Sequence, residues 1–324
     1  METHPIVPAS QDVLDFFENH SGFLVLGHRE PDGDCVGSQL ALASMLERHG
    51  RRVQPANPGP FERQEIAQYK DDFVSRITIK DLGRKPAAII VDCSGSERLG
   101  DLARFVDDLP VLVIDHHANG TDFGDVRFVH PEVPATTILV ASLIVQLGYH
   151  LDRDEASLLF LGLVTDTGFF RFLDAGETTA FRTATLLSEA GASPRNADRH
   201  LSSGRSFESR RLIGRMLERV ERFGGGRVLL TYQTQVDERE LGTRRDSDAL
   251  YQLLLSVEHV EMIAVAKEKQ EGCTVSFRSV GDIDVGILAT EFGGGGHANA
   301  SGAFVKDSLP FFLDRLRSRL AHLL

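Results

Sequence analysis

The chain lacks long hydrophobic runs, a cysteine framework and clustered basic residues. No apolar stretch in its 324 residues approaches the length of a membrane span, and residues 1–10 do not have the pattern of a signal peptide. Its three cysteines, Cys35, Cys93 and Cys273, are widely spaced and odd in number. We therefore expect reduced thiols in the cytoplasm and small buried packing side chains, rather than disulfides or a cysteine metal site.

The low proportion of basic residues limits the kinds of anionic partner that the chain is expected to bind. The formal net charge is −12, and adjacent arginines occur only in short pairs. Proteins that bind long nucleic acids usually carry a basic groove, because neutralisation of phosphates dominates their affinity. Long nucleic acids are therefore disfavoured as partners, whereas a local pocket for a short anion stays open. Bound divalent cations would offset part of the acidic charge.

The most informative segment that is present is residues 27–34, with the sequence GHREPDGD. It follows an apolar run and brings His28, Asp32 and Asp34 onto one turn, which Pro31 and a glycine favour. Carboxylates that close repel each other unless a cation lies between them, and oxygen with imidazole suits manganese, magnesium, cobalt or zinc. An ordinary surface turn has the same composition, so this segment alone leaves both interpretations open.

Three further segments favour the metal site. Two buried-strand patterns, residues 87–91 and 111–114, each end on an aspartate, and an apolar helical pattern at residues 158–164 leads into a loop with another. Ligands of parallel α/β sheets bind beyond the carboxyl ends of the strands. Each segment singly fits a helix cap or a surface histidine pair, but four in one domain point to a shared site. The side chains expected there are His28, Asp32, Asp34, Asp92, Asp115, His116, His117 and Asp166.

The pattern of elements predicts an α/β protein with two domains. Short apolar runs alternate with helical patterns in the first half, which indicates a doubly wound, mostly parallel sheet over residues 10–192. Residues 193–223 are polar and arginine-rich, and we predict a linker helix and hinge there, with a solvated surface helix as an equally compatible alternative. Strand and helix patterns restart at a triple glycine, so residues 224–324 are expected to form a smaller α/β domain, with the active site in the cleft between the two.

The ordered series of motifs resembles a known family. His-x3-Asp-x-Asp, a strand-end Asp, Asp-His-His and a later Asp resemble the DHH phosphoesterases, and residues 292–302, FGGGGHANASG, resemble the glycine-rich motif of their DHHA1 partner domain. The match spans roughly residues 10 to 320. Asp-His-His alone is a weak signal, but the ordered series with the GGGH element is specific. A two-domain chain of this length is similar to the bacterial oligoribonuclease and pAp phosphatase branch, the nanoRNases.

The resemblance implies a two-metal centre and a role for each residue. The cofactors would be two divalent ions, most simply Mn²⁺, with Mg²⁺ or Co²⁺ as alternatives. Asp92 would bridge both ions, Asp115 would orient its neighbouring histidine, and His117 would contact the scissile phosphate or the leaving oxygen. The remaining ligands would be His28 and Asp32 for one ion, and Asp34, His116 and Asp166 for the other.

The resemblance also implies substrate-binding residues in the second domain. Glycine backbone N–H groups can approach an anion closely, and an arginine fork suits a terminal phosphate. The alternatives are a flexible turn for the glycines and solvated strand positions for Ser276 and Arg278. The family usually has an asparagine where this chain has Gly120, and Asn119 lies one position earlier, so its role is open. The residues implied are Ser276, Arg278, Gly294, Gly295, Gly296, His297 and Ser301.

The implied activity is manganese-dependent hydrolysis of short oligoribonucleotides from the 5′ end, such as pGpG or pApA, and of pAp. Cyclic di-AMP hydrolysis is the main alternative. A family II inorganic pyrophosphatase is less favoured, because that family carries a basic Ser-Arg-Lys-Lys cluster where this chain has residues 293–297. A RecJ-type exonuclease is disfavoured by the acidic charge, and a non-enzymatic regulator by the complete metal set. The expected partners are short RNA, dinucleotides and pAp, with no membrane and with a homodimer as a further expectation.

Overall fold

The computed structural model describes residues 6–117, 123–242 and 246–323. The chain divides into two compact units, Met1–Ser203 and Gly204–Leu324. Within the described ranges, none of the helices combines the length and the apolar composition that crossing a bilayer requires.

The first unit is built on a parallel sheet of five strands. Its order is β2-β1-β3-β4-β5, and every neighbouring pair is parallel. β2 lies on one side of β1, and β3, β4 and β5 follow on the other side, so the strand order reverses between β1 and β3. At such a switch point the carboxyl ends of the strands form the usual ligand crevice of α/β sheets. The strands are β1 (Gly22–Leu26), β2 (Arg52–Ala56), β3 (Pro86–Val91), β4 (Val111–Asp115) and β5 (Val126–Val129).

Both faces of this sheet are buried. Alternate side chains such as Phe23 and Val25 pack against the α-helices on one face. Leu24 and Leu26 point the other way, onto a layer that includes Leu82 and Leu99. That second layer consists of 3-10 turns, Ile79–Leu82 and Ser96–Phe105, rather than α-helices. The predicted two-sided α/β fold is confirmed. The helices of the unit are α1 (Gln11–Asn19), α2 (Gly33–Arg48), α3 (Thr136–Gln146), α4 (Arg153–Asp166), α5 (Thr178–Glu189) and α6 (Pro194–Ser202).

The second unit contains a mixed six-stranded sheet, as the predicted smaller α/β domain requires. The order is β10-β11-β9-β8-β7-β6, and the pair β7–β8 is parallel while the other described pairs are antiparallel. Its strands are β6 (Glu221–Phe223), β7 (Val228–Gln233), β8 (Met262–Lys269), β9 (Gly272–Ser279), β10 (Gly295–His297) and β11 (Ala300–Val305). Its helices are α7 (Phe207–Glu218), α8 (Gln235–Leu241), α9 (Ser247–Leu255), α10 (Val285–Glu291) and α11 (Leu309–Leu320).

The segment predicted as one linker helix, residues 193–223, differs in the structure. It forms α6 and α7, which are interrupted at residues 203–206, where the hydroxyl of Ser206 accepts from the N–H of Ser209 and caps α7. α7 buries Leu212, Ile213 and Met216 in a core that it shares with β7 and β8. It is therefore an integral helix of the second unit. The arginine-rich composition of the segment obscured this short apolar stripe.

Candidate metal centre

The turn after β1 delivers three polar side chains to the switch point. α2 begins at Gly33, inside the motif itself. The reason is the side chain of Asp32, whose Oδ1 accepts from the N–H groups of Asp34 and Cys35 at 3.1 Å each and so caps the helix. Asp34 therefore lies in the first helical turn, and one oxygen of Asp32 is engaged in capping.

Asp92 lies between two histidines, directly after β3. Its Oδ2 is 3.2 Å from Nε2 of His28, and its Oδ1 is 3.7 Å from Nε2 of His116. The backbone of Asp92 is held in the left-handed region at φ 62°, while its N–H donates to the carbonyl of Ile114. Such strain persists only where the surrounding structure imposes it, and it is common at functional sites. Each oxygen of this buried carboxylate thus faces a different imidazole.

Both histidines turn Nε2 toward the carboxylates. Nδ1 of His28 lies 2.8 Å from the carbonyl of Arg29, and Nδ1 of His116 lies 3.2 Å from the carbonyl of Val133. A carbonyl only accepts, so each Nδ1 donates and each neutral ring keeps its Nε2 free as a ligand. Nε2 of His116 is buried and makes no hydrogen bond of acceptable geometry. An unpaired imidazole nitrogen surrounded by carboxylates fits a divalent cation.

A second group of ligand atoms surrounds His116. Its Nε2 is 3.3 Å from Oδ2 of Asp166 and 4.0 Å from Oδ2 of Asp34. We predicted Asp166 in a loop after a helix, but it is the last residue of α4. α4 can lie this close to α2 because Gly162 faces Asp34: a Cβ at that glycine would come within 2.9 Å of the Cα of Asp34. The two helices thereby bring both carboxylates to one histidine.

Asp34 also connects the centre to α3. The helix is preceded by Ala135, which has no side chain able to cap it. The carboxylate of Asp34 takes this role and accepts from the N–H groups of Thr136 at 2.6 Å and Thr137 at 2.9 Å. A helix N-terminus favours negative charge, so α3 offsets part of the repulsion among the clustered carboxylates. The hydroxyl of Thr136 adds a hydrogen bond to Oδ1 of Asp92.

The electrostatics of the cluster shift several pKa values. Burial, and then the charge of Asp166, raise the pKa of Asp34 to about 8. Burial and the charges of Asp34 and Asp32 raise the pKa of Asp92 well above its usual range. Burial lowers the pKa of His116, but the carboxylate of Asp166, 3.3 Å from its Nε2, and the charge of Asp34 outweigh this effect and raise the pKa to about 9. Burial lowers the pKa of His28, so that ring is neutral at pH 7. Without a metal ion, protons compensate the negative charge.

These shifts predict proton release when a metal binds. At pH 7 the pH lies below the pKa values of Asp34 and His116, and because each group's charge acts on the other, the pair holds at least one proton that a cation must displace. Binding of Mn²⁺ should therefore release about one proton per chain at pH 7, and the apparent affinity should rise as the pH increases toward 9. Calorimetry in buffers of different ionisation enthalpy measures the proton count. Asp34→Asn should release fewer protons, and a wild type that releases none contradicts this electrostatic account.

His117 is oriented by its neighbour Asp115. Oδ1 of Asp115 lies 2.8 Å from Nδ1 of His117 and also accepts its backbone N–H, while Oδ2 accepts from the hydroxyl of Ser94 at 2.6 Å. Burial raises the pKa of Asp115, but the hydrogen bonds from His117 and Ser94 outweigh it and hold the pKa below its usual value. An ionised Asp115 fixes Nδ1 as the donor, so Nε2 of the half-exposed His117 ring is available to a substrate.

Most of the predicted ligands come together, and one does not. Three groups have ligand atoms within 4.8 Å of one another: His28, Cys35 and Asp92; Asp92, His116 and His117; Asp34, His116 and Asp166. Asp32 belongs to none of them, although its Oδ2 is not used in the helix cap and lies 4.0 Å from Nη1 of Arg63. Asn119 and Gly120 lie outside the described residues.

The cysteines are buried and free, as their sequence context indicated. Cys35 lies beside His28 and Asp92, yet burial and the charge of Asp92 raise its pKa well above the usual value for a thiol. Burial, and then the charge of Asp92, likewise raise the pKa of Cys93. A thiol that resists ionisation is a poor metal ligand, so small packing residues remain the better description.

The sequence reasoning missed Thr136 and Ser94. Thr136 contacts both Asp34 and Asp92, and Ser94 holds the second oxygen of Asp115. Ser94 lies two residues after a motif aspartate, so proximity along the chain could have suggested it. Thr136 is separated from Asp34 by 102 positions. Its only signal was the start of a strongly apolar helix that has no capping side chain of its own.

The glycine-rich segment of the second unit leads from a turn at Gly293 into the strand β10. β10 pairs antiparallel with β11, and a Cβ at Gly294 or Gly296 would come within 2.1 or 2.6 Å of a backbone oxygen. Both glycines are therefore required by close backbone packing. Cβ atoms at Gly293 and Gly295 would meet nothing within 4 Å, although Gly293 has a positive φ of 75°.

Strand pairing brings the predicted substrate side chains onto one face. His297 pairs with Ala300, which pairs with Arg278, so the histidine and the arginine lie on the same face of the sheet. Their Cα atoms are about 10 Å apart, because they are separated by two strand spacings. In the neighbouring row, Gly302 separates Gly295 from Ser276. Small residues between them leave a flat floor on which an anion could lie.

Two of these residues have contacts within the unit. The guanidinium of Arg278 lies 5.0 Å from the centroid of the Tyr251 ring, which orients it from below, and its Nη1 donates to the carbonyl of Phe277. The hydroxyl of Ser301 is buried and donates to the carbonyl of Val285 at 2.5 Å. That hydroxyl is engaged in the fold, and we leave Ser301 out of the proposed substrate contacts.

The fold and the cluster define a class of α/β proteins with a candidate two-metal centre at the switch point of a parallel sheet. Residues 22–163 match the model of the DHH family, N-terminal domain, and residues 225–322 match that of the DHHA1 domain. The chain belongs to the DHH family and carries a DHHA1 domain. The predicted family resemblance is confirmed.

Individual relatives agree with this assignment. The chain is 30% identical to a bifunctional oligoribonuclease and PAP phosphatase of Thermus thermophilus, with 86% of this chain and 82% of that one covered. It is 27% identical to a cyclic-di-AMP phosphodiesterase of Listeria monocytogenes, with 92% of this chain but 47% of that longer one covered. The fold is similar to that of an exopolyphosphatase-related protein from Bacteroides fragilis, at a TM-score of 0.79 and 24% identity over 96% of each chain.

Proposed function

We propose that the chain is a two-metal phosphoesterase that hydrolyses very short oligoribonucleotides, such as pGpG or pApA from the 5′ end, and pAp. The observation that carries the proposal is the position of Asp92, whose two oxygens face His28 at 3.2 Å and His116 at 3.7 Å. In two-metal sites the cations lie about 3.5–4 Å apart, and a shared carboxylate can bridge them. Asp92 would be that bridging ligand, and each histidine would bind a different ion.

The remaining ligands follow from the geometry and from the family resemblance. Asp34 and Asp166 would complete the site around His116, whose Nε2 lies close to both carboxylates. Asp32 is assigned to the site around His28 on the family resemblance alone, because it lies outside the three groups of ligand atoms. Carboxylates with neutral imidazoles suit Mn²⁺ best among the ions considered, with Mg²⁺ and Co²⁺ as alternatives. When bound, such ions supply an activated water and neutralise the charge of the phosphate.

His117 acts on the substrate rather than on a metal. Its Nδ1 is engaged by Asp115, which leaves Nε2 to donate to the scissile phosphate or to the leaving oxygen. Asp115 is a positioning residue, because its ionised carboxylate stabilises the protonated ring that this donation requires. Ser94 holds the other oxygen of Asp115 and fixes the direction of the pair.

The second unit selects the substrate in this proposal. Arg278, Ser276 and His297 share one face of its sheet, with the exposed strand Gly295–His297 beside them. The backbone N–H groups of an exposed glycine strand and an arginine fork are typical ligands of a terminal phosphate. A substrate held by such a phosphate is short, which agrees with the name of the Thermus thermophilus relative.

Substrate length provides the test of this function. With Mn²⁺, a 5′-phosphorylated dinucleotide should be hydrolysed at least about tenfold faster than a 30-mer, because a chain of net charge −12 repels a long polyanion more than a short one. Initial rates at equal concentrations of cleavable ends measure this. Faster turnover of the 30-mer would rule the proposal out.

A panel of small substrates separates the related activities. We expect pAp, pApA and pGpG to be hydrolysed, and cyclic di-AMP and pyrophosphate to be turned over more slowly. Cyclic di-AMP belongs in the panel because of the 27% identity to a cyclic-di-AMP phosphodiesterase. If it is the fastest substrate, the main alternative replaces the proposal.

The compartment and the oligomeric state are further parts of the proposal. Three free, buried cysteines suit a reducing cytoplasm, and the homodimer stays a prediction.

A further inference from the structure

The loop that follows Asp166 contains three consecutive residues in the left-handed region. Gly168, Phe169 and Phe170 have φ values of 55°, 58° and 68°. Bulky residues rarely adopt this conformation, and it persists only where the surroundings impose it. The strain begins two residues after a proposed metal ligand, so the loop forms part of the rim of the candidate metal centre.

Most of this loop is firmly anchored. The buried hydroxyl of Thr167 donates to the carbonyl of Leu163 and accepts from the N–H of Phe170. Phe169 packs against the core, and the ring of Phe170 stacks on that of Phe181 with centroids 5.2 Å apart and an angle of 20°. These contacts fix the backbone and leave one aromatic side chain of the loop outside the fold.

That side chain is Phe172, which is 68% exposed. Its ring lies directly against Gly168, where a Cβ would come within 2.3 Å of it, and the guanidinium of Arg171 lies 5.8 Å from its centroid. The Cα atoms of Asp166 and Gly168 are at most about 7.6 Å apart, because each peptide unit spans 3.8 Å. A solvent-facing aromatic ring therefore lies in the loop that follows a proposed metal ligand, and it contacts a glycine two residues from that ligand.

We propose that Phe172 is a specificity-determining residue on which a nucleobase of the substrate stacks. The inference rests on the proposed hydrolysis of nucleotides. Stacking on an aromatic ring contributes substantially to the binding of each base and tolerates every base, because all bases have a π-face. A rigid loop that presents one exposed ring beside the phosphate chemistry gives affinity for nucleotides over other phosphoesters without selecting a base.

A fluorescence titration tests the stacking directly. The chain contains no tryptophan, so Phe172→Trp introduces a single reporter. AMP, a product of the proposed reaction, should quench this reporter saturably, whereas ribose 5-phosphate, which has no base, should not. Phe311→Trp carries the same reporter at another exposed phenylalanine and should respond to neither ligand. Equal quenching by both ligands at position 172, or none by AMP, overturns the inference.

Kinetics provide the second measurement. Phe172→Ala should raise KM for pApA about tenfold or more while kcat changes little, because a stacking contact is made equally in the ground and transition states. Analogues of pApA that lack one base test which base stacks. On the analogue that lacks the stacking base, the KM of Phe172→Ala should differ from that of the wild type by less than about twofold. Phe311→Ala is the matched control and should behave as the wild type.

The outcomes separate this inference from the function on which it rests. If the wild type hydrolyses pApA and Phe172→Ala has an unchanged KM, the stacking inference is wrong and the proposed function stands. If the wild type hydrolyses neither pApA nor its abasic analogues, the proposed function fails, and the AMP titration still decides the stacking. A changed oligomeric state of Phe172→Ala with an unchanged KM assigns the ring to a protein contact and overturns the inference.

Discussion

Replacement of Asp92 should abolish hydrolysis and metal binding together. Its two oxygens face two different histidines, which is the arrangement that the proposed bridging role requires. We expect the activity of Asp92→Ala to fall by at least about 10³-fold, because the proposed reaction depends on both ions. Mutation of residues that only hydrogen-bond to metal ligands already lowers metal affinity or activity by about 10–100-fold. Activity on pApA and Mn²⁺ content after dialysis are the measurements.

The choice of variant matters because Asp92 has a φ of 62°. Alanine adopts this region at a cost of about 1–2 kcal/mol, whereas asparagine tolerates it. Asp92→Asn therefore keeps the backbone and nearly the same shape while removing the charge, and it should fold as stably as the metal-free wild type. Asp107→Asn, at an exposed aspartate, is the matched control. An Asp92→Asn protein that folds and retains wild-type activity would contradict the scheme.

Loss of His117 should have the second largest effect, with a different signature. Its Nδ1 is engaged by Asp115, and its ring is 41% exposed, as a group that contacts substrate requires. We expect His117→Ala to lower kcat by about 10²–10⁴-fold, the usual contribution of a general acid or base, while both metal ions stay bound. Measured kcat, together with metal content, distinguishes this role from metal ligation.

The controls for His117 use its partner. Asp115→Asn keeps the size of the side chain but weakens the preference for one tautomer, so it should lower kcat less than His117→Ala does and should shift the pH dependence of kcat. Nδ1 of His117 also lies 3.7 Å from Oδ1 of Asp92, within a candidate ligand group. Loss of one metal equivalent in His117→Ala would therefore assign the residue to the metal centre instead.

The strand-end residues were predictable from the sequence because their local signal is strong. Residues 87–91 and 111–114 are uninterrupted apolar runs, and each stops at a charged residue. The parallel-sheet rule then brings Asp92 and His116 to one rim without any knowledge of distances. The edge strands Arg52–Ala56 and Val126–Val129 were not predicted, because short strands at an edge have a mixed composition.

Contacts between distant parts of the chain were beyond sequence reasoning. Nothing local indicates that Asp34 caps a helix 102 residues away, or that Gly162 is small because α2 passes beside it. The glycines at 294 and 296 looked like an anion loop, but a close neighbouring strand explains them equally well. A motif identifies residue types, whereas the partner of each residue emerges only from the packing.

The most direct test of the two-metal centre is anomalous scattering at the manganese absorption edge from crystals of the wild type grown with Mn²⁺. Two peaks about 3.5–4 Å apart are expected, both beside the carboxylate of Asp92, one facing His28 and the other facing His116. A single peak that does not touch Asp92, or no peak in this region at saturating Mn²⁺, would contradict the account.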